Sequence, residues 1–140
     1  MQITDHFALE EFHSRAHGDV AAEKYPADWI PDRLRPLCYQ LELIRAAAAG
    51  RAVRILSGYR SPALNRALPG TAKNSQHMYG RAADIVIPGV RPDDVHALVL
   101  ELAHQKRITI GGLGYYTNFT HVDIRPTDRL VRWTGSAKRA

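Results

Sequence analysis

Two residues of metal-binding type, a histidine and an aspartate, stand seven positions apart in the segment SQHMYGRAADI. His77 and Asp84 could share a zinc ion only if their donor atoms lay ~3–4 Å apart, because zinc–ligand bonds are about 2 Å long. An extended chain would separate them by roughly 23 Å, so the chain must reverse, and Gly80 lies where a positive φ is tolerated. The alternative is a buried Asp84 paired with Arg60 or Arg81, since a carboxylate in an apolar strand is costly unless paired or metal-bound.

A third candidate ligand, His121, lies in the segment FTHVDIR. Alternate residues of a strand face the same way, so His121, Asp123 and Arg125 should share one face. Three polar groups on one face favour a cleft wall, and an exposed sheet face is the alternative. Together with His77 and Asp84, His121 would complete a ligand set that leaves zinc one open position for water, as in catalytic zinc sites.

The hydrophobic pattern predicts the elements that must position these residues. Apolar residues at helical spacing predict helices over 7–13, 32–49 and 92–106, with one or two helical turns over 62–68. Thr4 or Asp5 would cap the first helix, and Asp32 and Gly50 would mark the start and stop of the second. Alternating, branched segments predict strands over 52–56, 82–87, 112–116 and 119–124, the last two forming a hairpin. Helices that precede and interrupt a small sheet predict an α+β fold with a mainly antiparallel sheet.

Length and composition are those of one globular domain spanning residues 1–140, with 45% hydrophobic and 24% charged residues. No apolar run approaches the roughly 20 residues that span a bilayer, so membrane insertion is not expected. The first residues show no basic segment followed by an apolar one, so no signal peptide is visible. Cys38 is the single cysteine, which excludes an intrachain disulfide and a cysteine-built zinc site.

The charge is unevenly distributed along the chain. Residues 1–32 hold seven acidic and two basic residues, a net of −5, which leaves +10 for residues 33–140 of the total of +5. A basic body suits an anionic partner such as nucleic acid, a membrane surface or a cell-wall polymer. A solubilising surface without a partner is an equal alternative, and no recognised motif supports specific nucleic-acid binding.

The segment SGYRSPALNRALPGTAKNSQHMYGRAADI, at positions 57–85, resembles the signature of zinc D-alanyl-D-alanine carboxypeptidases and related murein endopeptidases. These proteins belong to the hedgehog/DD-peptidase superfamily. Their pattern is SGYRS, then SQH-x6-D, then a late histidine on a strand, and this sequence has all three in that order. The early FALEEFHS is also similar to the start of the family, so the resemblance covers about residues 5–133. It implies a hedgehog/DD-peptidase-like fold.

The resemblance also implies roles for individual residues. His77, Asp84 and His121 correspond to the ligands of one Zn²⁺ per chain, and Arg60 corresponds to the arginine that contacts the substrate. A guanidinium suits a carboxylate and could stabilise the oxyanion formed when an amide is attacked. The alternative for Arg60 is a structural ion pair with Asp84 or Asp123.

The candidate general base departs from the usual pattern. Many members carry Glu or Asp three residues before the last histidine ligand, where this chain has Asn118, which cannot act as a base. A similar subgroup has a His-x-Asp pattern instead, present here as His121 and Asp123. Asp123 is therefore the candidate general base, although it could equally orient a histidine ligand.

Five further side chains are candidates to contact the substrate or line its groove. Ser57 and Ser75 could hydrogen-bond the substrate or the metal ligands, and capping of loops is an equal alternative. Tyr115, with its neighbour Tyr116 and Trp133, could line the groove, against a default of core packing.

The resemblance implies a zinc metallopeptidase that hydrolyses peptide bonds in peptidoglycan stem peptides or crosslinks. It would act as a D,D-carboxypeptidase or as an endopeptidase, and it would be a monomer. It would be a phage lysin or virion component, or it would reach the bacterial wall by another route. Asn118 leaves open a non-catalytic, metal-stabilised cell-wall-binding or virion module. A nucleic-acid-binding domain, suggested by charge alone, would show a steep salt dependence of DNA affinity.

Overall fold

The structure is a computed structural model that describes residues 1–135 and is built around a five-stranded sheet. The strands are β1 Gln2–Thr4, β2 Phe7–Ala8, β3 Arg54–Ser57, β4 Ala82–Val86, β5 Gly112–Tyr115, β6 Thr120–Asp123 and β7 Val131–Thr134. The α-helices are α1 Arg35–Ala47, α2 Pro62–Ala67 and α3 Pro92–His104. Short 3-10 helices span Leu9–Phe12, Ala27–Trp29 and Gln76–Tyr79, and a π-helical turn spans Ile30–Leu34.

The strand order of the sheet is β3–β4–β6–β5–β7. All neighbours pair antiparallel except β5 and β7, which are parallel. This confirms the α+β fold with a mainly antiparallel sheet, and β5 and β6 form the predicted hairpin. The pattern did not predict β7, because only Trp133 of its four residues is even half-buried and the strand therefore lacks the usual alternation.

The central strands separate an apolar face from a polar one. Ala83, Ile85, Leu113 and Val122 belong to the hydrophobic core, and α3 packs against β5 and β6 on that side. Successive strand residues point to opposite faces, so the polar residues between them face away from the core. The sheet thus presents the candidate site residues of β4 and β6 on the face opposite α3.

Helix α1 begins three residues later than the pattern predicts. Its buried residues Leu37, Leu41 and Ile44 keep the expected spacing. Asp32 lies inside the preceding π-helical turn and does not cap α1, which corrects the predicted start. The helix ends at Ala47, and Gly50 has a φ of 72° just beyond it, as expected for a glycine stop.

The predicted first helix, over residues 7–13, is wrong. Phe7 is the start of strand β2, and a four-residue 3-10 helix follows. Neither Thr4 nor Asp5 caps this 3-10 helix, since the amide of Ala8 instead donates to the Glu11 carboxylate at 2.7 Å. The apolar spacing that suggested a helix reflects burial of both Phe7 and Phe12 by an extended segment followed by one tight turn.

The segment between the two motif ligands reverses as predicted. His77 lies in a 3-10 helix that ends at Gly80, whose φ is 70°. A Cβ at Gly80 would lie 2.6 Å from the Tyr25 hydroxyl and 2.7 Å from the Trp29 ring. Glycine is therefore required there by both conformation and space, and it returns the chain into β4.

Among residues 1–135, no helix is both long and apolar enough to cross a membrane.

Candidate metal centre

Three buried side chains of metal-binding type converge on the polar face of the sheet. His77, Asp84 and His121 offer ligand atoms that all lie within 4.8 Å of one another. Asp84 Oδ1 lies 3.1 Å from His77 Nε2 and 3.0 Å from His121 Nδ1. The structure therefore brings together the three residues that the sequence pattern selected.

Strand register and one turn produce this convergence. Asp84 on β4 and His121 on β6 are direct cross-strand partners, so their side chains leave the sheet side by side. His77 reaches them from the 3-10 helix that precedes β4. Its amide donates to the Ser75 hydroxyl at 3.2 Å, and its carbonyl accepts from the amide of Arg60 at 3.0 Å.

Hydrogen bonds behind each imidazole orient its lone pair. His77 Nδ1 lies 2.7 Å from the Gly58 carbonyl oxygen, which can only accept, so Nδ1 carries the proton and Nε2 faces Asp84 as an acceptor. His121 Nε2 lies 2.7 Å from Asp123 Oδ2, so a proton on Nε2 leaves Nδ1 as the acceptor that faces Asp84. In these tautomers three acceptor atoms meet, and a cation among them would stabilise the arrangement, as in sites where a second group orients a histidine ligand.

Burial and neighbouring charges shift the pKa values of the three groups in different directions. Burial would raise the pKa of Asp84, but His77 and His121 outweigh it and hold that pKa well below its usual range. Burial lowers the pKa of His77, which keeps its ring neutral and able to bind metal. For His121, burial acts in the same direction, but hydrogen bonds with Asp123 and Asp84 raise its pKa. His121 is therefore where a proton would reside in the absence of metal.

Asp123 lies behind His121 and not over the converging ligand atoms. Its Oδ1 accepts from Arg125 N and Nε at 3.1 and 2.9 Å, and its Oδ2 accepts from Arg125 Nη2 at 2.8 Å and from His121. The carboxylate is fully buried. Burial would raise its pKa, but the hydrogen bonds from His121 and Arg125 lower it. This geometry favours the orienting role over the predicted general base. The Asp123 carboxylate is hydrogen-bonded to Nε2 of His121, whereas Nδ1 is the ring nitrogen that faces Asp84.

Two glycines of β5 make room for this arrangement. Gly112 is the cross-strand partner of Asp123, and Gly114 is the partner of His121. A Cβ at Gly112 would lie 2.2 Å from Asp123 Oδ2, and one at Gly114 would lie 2.8 Å from the Trp133 ring. Neither glycine is predicted by the sequence pattern as part of the site. The signal that could have found them is the Gly-x-Gly alternation of the strand that faces the histidine.

Arg60 belongs to the site, but it is buried, with only 1% of its surface exposed. Its Nη2 lies 3.8 Å from Asp84 Oδ2, and its Nη1 donates to Asn65 Oδ1 at 3.1 Å. The structure therefore favours the ion pair with Asp84 among the alternatives for this arginine. Contact with a substrate stays a prediction.

The three other proposed substrate contacts are placed differently. Ser75 lines the cleft beside His121 and also caps the 3-10 helix that carries His77. Ser57 lines a separate cavity of about 90 Å³. Tyr115 is not among the residues that line the cleft beside His121. It lies on the α3 face of the sheet, where its hydroxyl donates to the Asp93 carboxylate and its ring packs on His96.

The cleft that His121 lines has a volume of about 290 Å³. Tyr116, Arg125 and Trp133 form one wall, and the segment 72–76 contributes the other. Trp133 Nε1 donates to the Tyr116 hydroxyl at 3.0 Å, its ring centroid lies 5.0 Å from that of His121, and the Arg125 guanidinium lies 5.1 Å from the Trp133 ring. Two of the aromatic residues predicted to border the groove therefore do so. Asn118 is exposed in the loop between β5 and β6.

Known proteins with similar sequences are peptidoglycan endopeptidases by name. A chain from Haemophilus influenzae named "Probable peptidoglycan L,D-endopeptidase MepK" is 38% identical over 89 residues, which cover 59% of this chain and 43% of that protein. "Peptidoglycan L,D-endopeptidase MepK" of Escherichia coli K12 and that of Shigella flexneri are each 36% identical over 80 residues, covering 53% of this chain and 41% of theirs. This chain thus matches less than half the length of these relatives.

The family model described as "Peptidoglycan L,D-endopeptidase MepK" matches residues 27–130. This range is more than half of the chain and contains the three candidate ligands as well as Arg60 and Asp123. The chain therefore belongs to the peptidoglycan L,D-endopeptidase MepK family of M15 peptidases.

Proposed function

We propose that this protein is a zinc-dependent peptidase that hydrolyses peptide bonds in peptidoglycan crosslinks. The observation that carries the proposal is the convergence of two imidazole lone pairs and a carboxylate oxygen, each held in place from behind. His77 is oriented by the Gly58 carbonyl, and His121 by Asp123. Ligands oriented in this way are ready to bind a metal without rearrangement.

The chemistry of the donors favours zinc. Two nitrogens and one oxygen from the protein leave a fourth tetrahedral position, which is the arrangement of catalytic zinc sites and not of structural ones. When bound there, zinc would lower the pKa of a water molecule and polarise a carbonyl group. The cleft would receive the peptide, and the presence of His121 in its lining supports this assignment.

Asp123 and Arg60 would act on the ligands rather than on the substrate. We assign Asp123 the role of holding the His121 ring and its tautomer, with Arg125 fixing the carboxylate in turn. Arg60 would hold the second oxygen of Asp84, so that Oδ1 faces the two histidines. Neither role requires these buried groups to reach the peptide.

The names of the relatives support an L,D-endopeptidase activity on peptidoglycan. The net charge of residues 33–140, +10 by difference, also suits the anionic wall polymer. The D,D-carboxypeptidase activity implied by the sequence resemblance is the competing bond specificity. Asn118, at the position where many members have an acid, favours a second candidate function, a metal-stabilised module that binds the wall without cleaving it.

Product analysis on purified murein and on isolated crosslinked peptides tests the proposal. The wild type should release peptides with new ends at the L,D bond of the crosslink, and a chelator should abolish this release until zinc is restored. His77→Ala should be inactive, while His104→Ala, which changes an exposed histidine on α3, should retain full activity. Loss of terminal D-alanine alone would identify a carboxypeptidase. Bound zinc with intact murein would identify the binding module.

A further inference from the structure

A second groove, larger than the cleft at the metal centre, lies next to it. Its volume is about 660 Å³, and it lies between α2 and the 3-10 helix that carries His77. Asn74 lines both the groove and the cleft, so the two are separated only by the segment 71–76. A ligand that extends beyond the cleft on this side would enter the groove.

The groove combines two exposed cations, called here its basic rim, with aromatic and apolar side chains. The cations are Arg66 and Lys73, and the lining also includes the partly buried Met78 and the exposed Tyr79. None of its lining residues is an aspartate or a glutamate. Arg33 adds a third cation, donating to the Tyr79 carbonyl at 2.9 Å. This charge distribution is complementary to a ligand that carries carboxylates.

Hydrogen bonds join the groove to the metal centre. Asn65 lines the groove and accepts from Arg60, which lies against Asp84. The side-chain amide of Asn65 also donates to the Ala72 carbonyl at 3.0 Å, and the backbone carbonyl of Asn65 accepts from the Thr71 hydroxyl at 2.7 Å. Asn65 therefore both holds the segment 71–76 between groove and cleft and accepts a hydrogen bond from Arg60, which pairs with Asp84.

We propose that this groove binds the second, carboxylate-bearing peptide arm of a crosslinked substrate while the first arm occupies the cleft. The proposal rests on the proposed function, because a crosslink has two arms that leave the scissile bond in different directions. A glycan strand is the less suitable occupant. Sugar rings stack on exposed aromatic faces, but the Arg33 guanidinium already lies 4.1 Å from the centre of the Trp29 ring, which leaves Tyr79 as the single free aromatic face in the lining. Glycan binding also gives no role to a basic rim.

Binding to insoluble murein provides the test. The double variant Arg66→Glu/Lys73→Glu is compared with Arg51→Glu/Arg107→Glu, which makes the same change of net charge at exposed positions away from the groove. Each protein is sedimented on ice with native murein and with murein whose carboxylates have been amidated. The groove variant should bind native murein about tenfold more weakly than the wild type, and the control about as well as the wild type. Amidation should reduce wild-type binding to the level of the groove variant.

Two outcomes would overturn the groove proposal. Equal weakening in both variants would show that only net charge matters. Wild-type binding that survives amidation but is lost in the groove variant would identify glycan as the occupant. Release of soluble peptides is measured separately, so groove-dependent binding without release would remove the peptidase function and leave the groove assignment standing.

Discussion

Replacement of Asp123 by asparagine separates an orienting role from a proton-transfer role. In the wild type, Asp123 Oδ1 accepts two hydrogen bonds from Arg125, and Oδ2 accepts one from Arg125 and one from His121. The amide of asparagine keeps one acceptor oxygen and introduces an NH₂ group, which cannot accept. If the NH₂ takes the Oδ1 position, two bonds from Arg125 are lost. If it takes the Oδ2 position, His121 must change tautomer to accept from it.

The tautomer change carries the larger functional consequence. A proton moved to His121 Nδ1 would occupy the atom that lies 3.0 Å from Asp84 Oδ1 and would remove a metal ligand. Loss of such an orienting partner typically costs about 10–100-fold in metal affinity, or about 1.4–2.7 kcal/mol. We therefore expect Asp123→Asn to bind zinc about 10–100-fold more weakly, and excess zinc to restore much of the activity.

Zinc competition with a chelating indicator, combined with steady-state kinetics at saturating zinc, measures both quantities. Asp128→Asn, at an exposed aspartate in the loop before β7, is the control for loss of one negative charge. A general base would behave in the opposite way, since its loss reduces kcat by about 10²–10⁴-fold without weakening the metal. Wild-type zinc affinity with such a fall in kcat at saturating zinc would refute the orienting role.

Three further predictions concern the scaffold. Gly80→Ala should reduce the free energy of unfolding in urea by about 2–4 kcal/mol, because it adds both a positive-φ penalty and a clash with the Tyr25 hydroxyl. The control Gly18→Ala has a φ of 55° and open space around it, so it should cost only about 1 kcal/mol. Equal costs for the two variants would contradict the clash. Gly112→Ala should displace the Asp123 carboxylate and weaken zinc binding, and unchanged zinc affinity would argue against this packing. Burial would raise the pKa of Glu42, but hydrogen bonds from two side chains and a backbone amide outweigh burial and lower that pKa. The stabilisation that Glu42 contributes is therefore present at neutral pH and is lost as the pH falls below the ordinary carboxyl range. Glu42→Gln should reduce the free energy of unfolding by about 1 kcal/mol at neutral pH and by much less in acid, and a difference that does not depend on pH would refute this.

The local motifs were the most predictable part of the site. His77 and Asp84 are joined by a short reversal that requires glycine, and that requirement is visible in the sequence. His121 follows from strand alternation. These features depend on neighbours in the chain, so spacing is informative about them.

The features that the sequence could not supply depend on pairing between distant segments. Strand alternation puts His121 and Asp123 on one face, but it does not show which ring nitrogen faces the carboxylate. The β5–β6 register shows that Tyr115 lies on the α3 side, and that Gly114 and not a larger residue faces His121. Strand β7 pairs parallel to β5 with almost no buried side chain, so no hydrophobic pattern marks it.

The metal content of the purified protein tests the central claim most directly. Elemental analysis after dialysis should find one zinc per wild-type chain, one in His104→Ala and almost none in His77→Ala, with all three proteins folded by circular dichroism. Zinc retained at full stoichiometry in His77→Ala, or a metal-free wild type that still cleaves murein, would contradict the assignment of His77, Asp84 and His121 as the catalytic metal site.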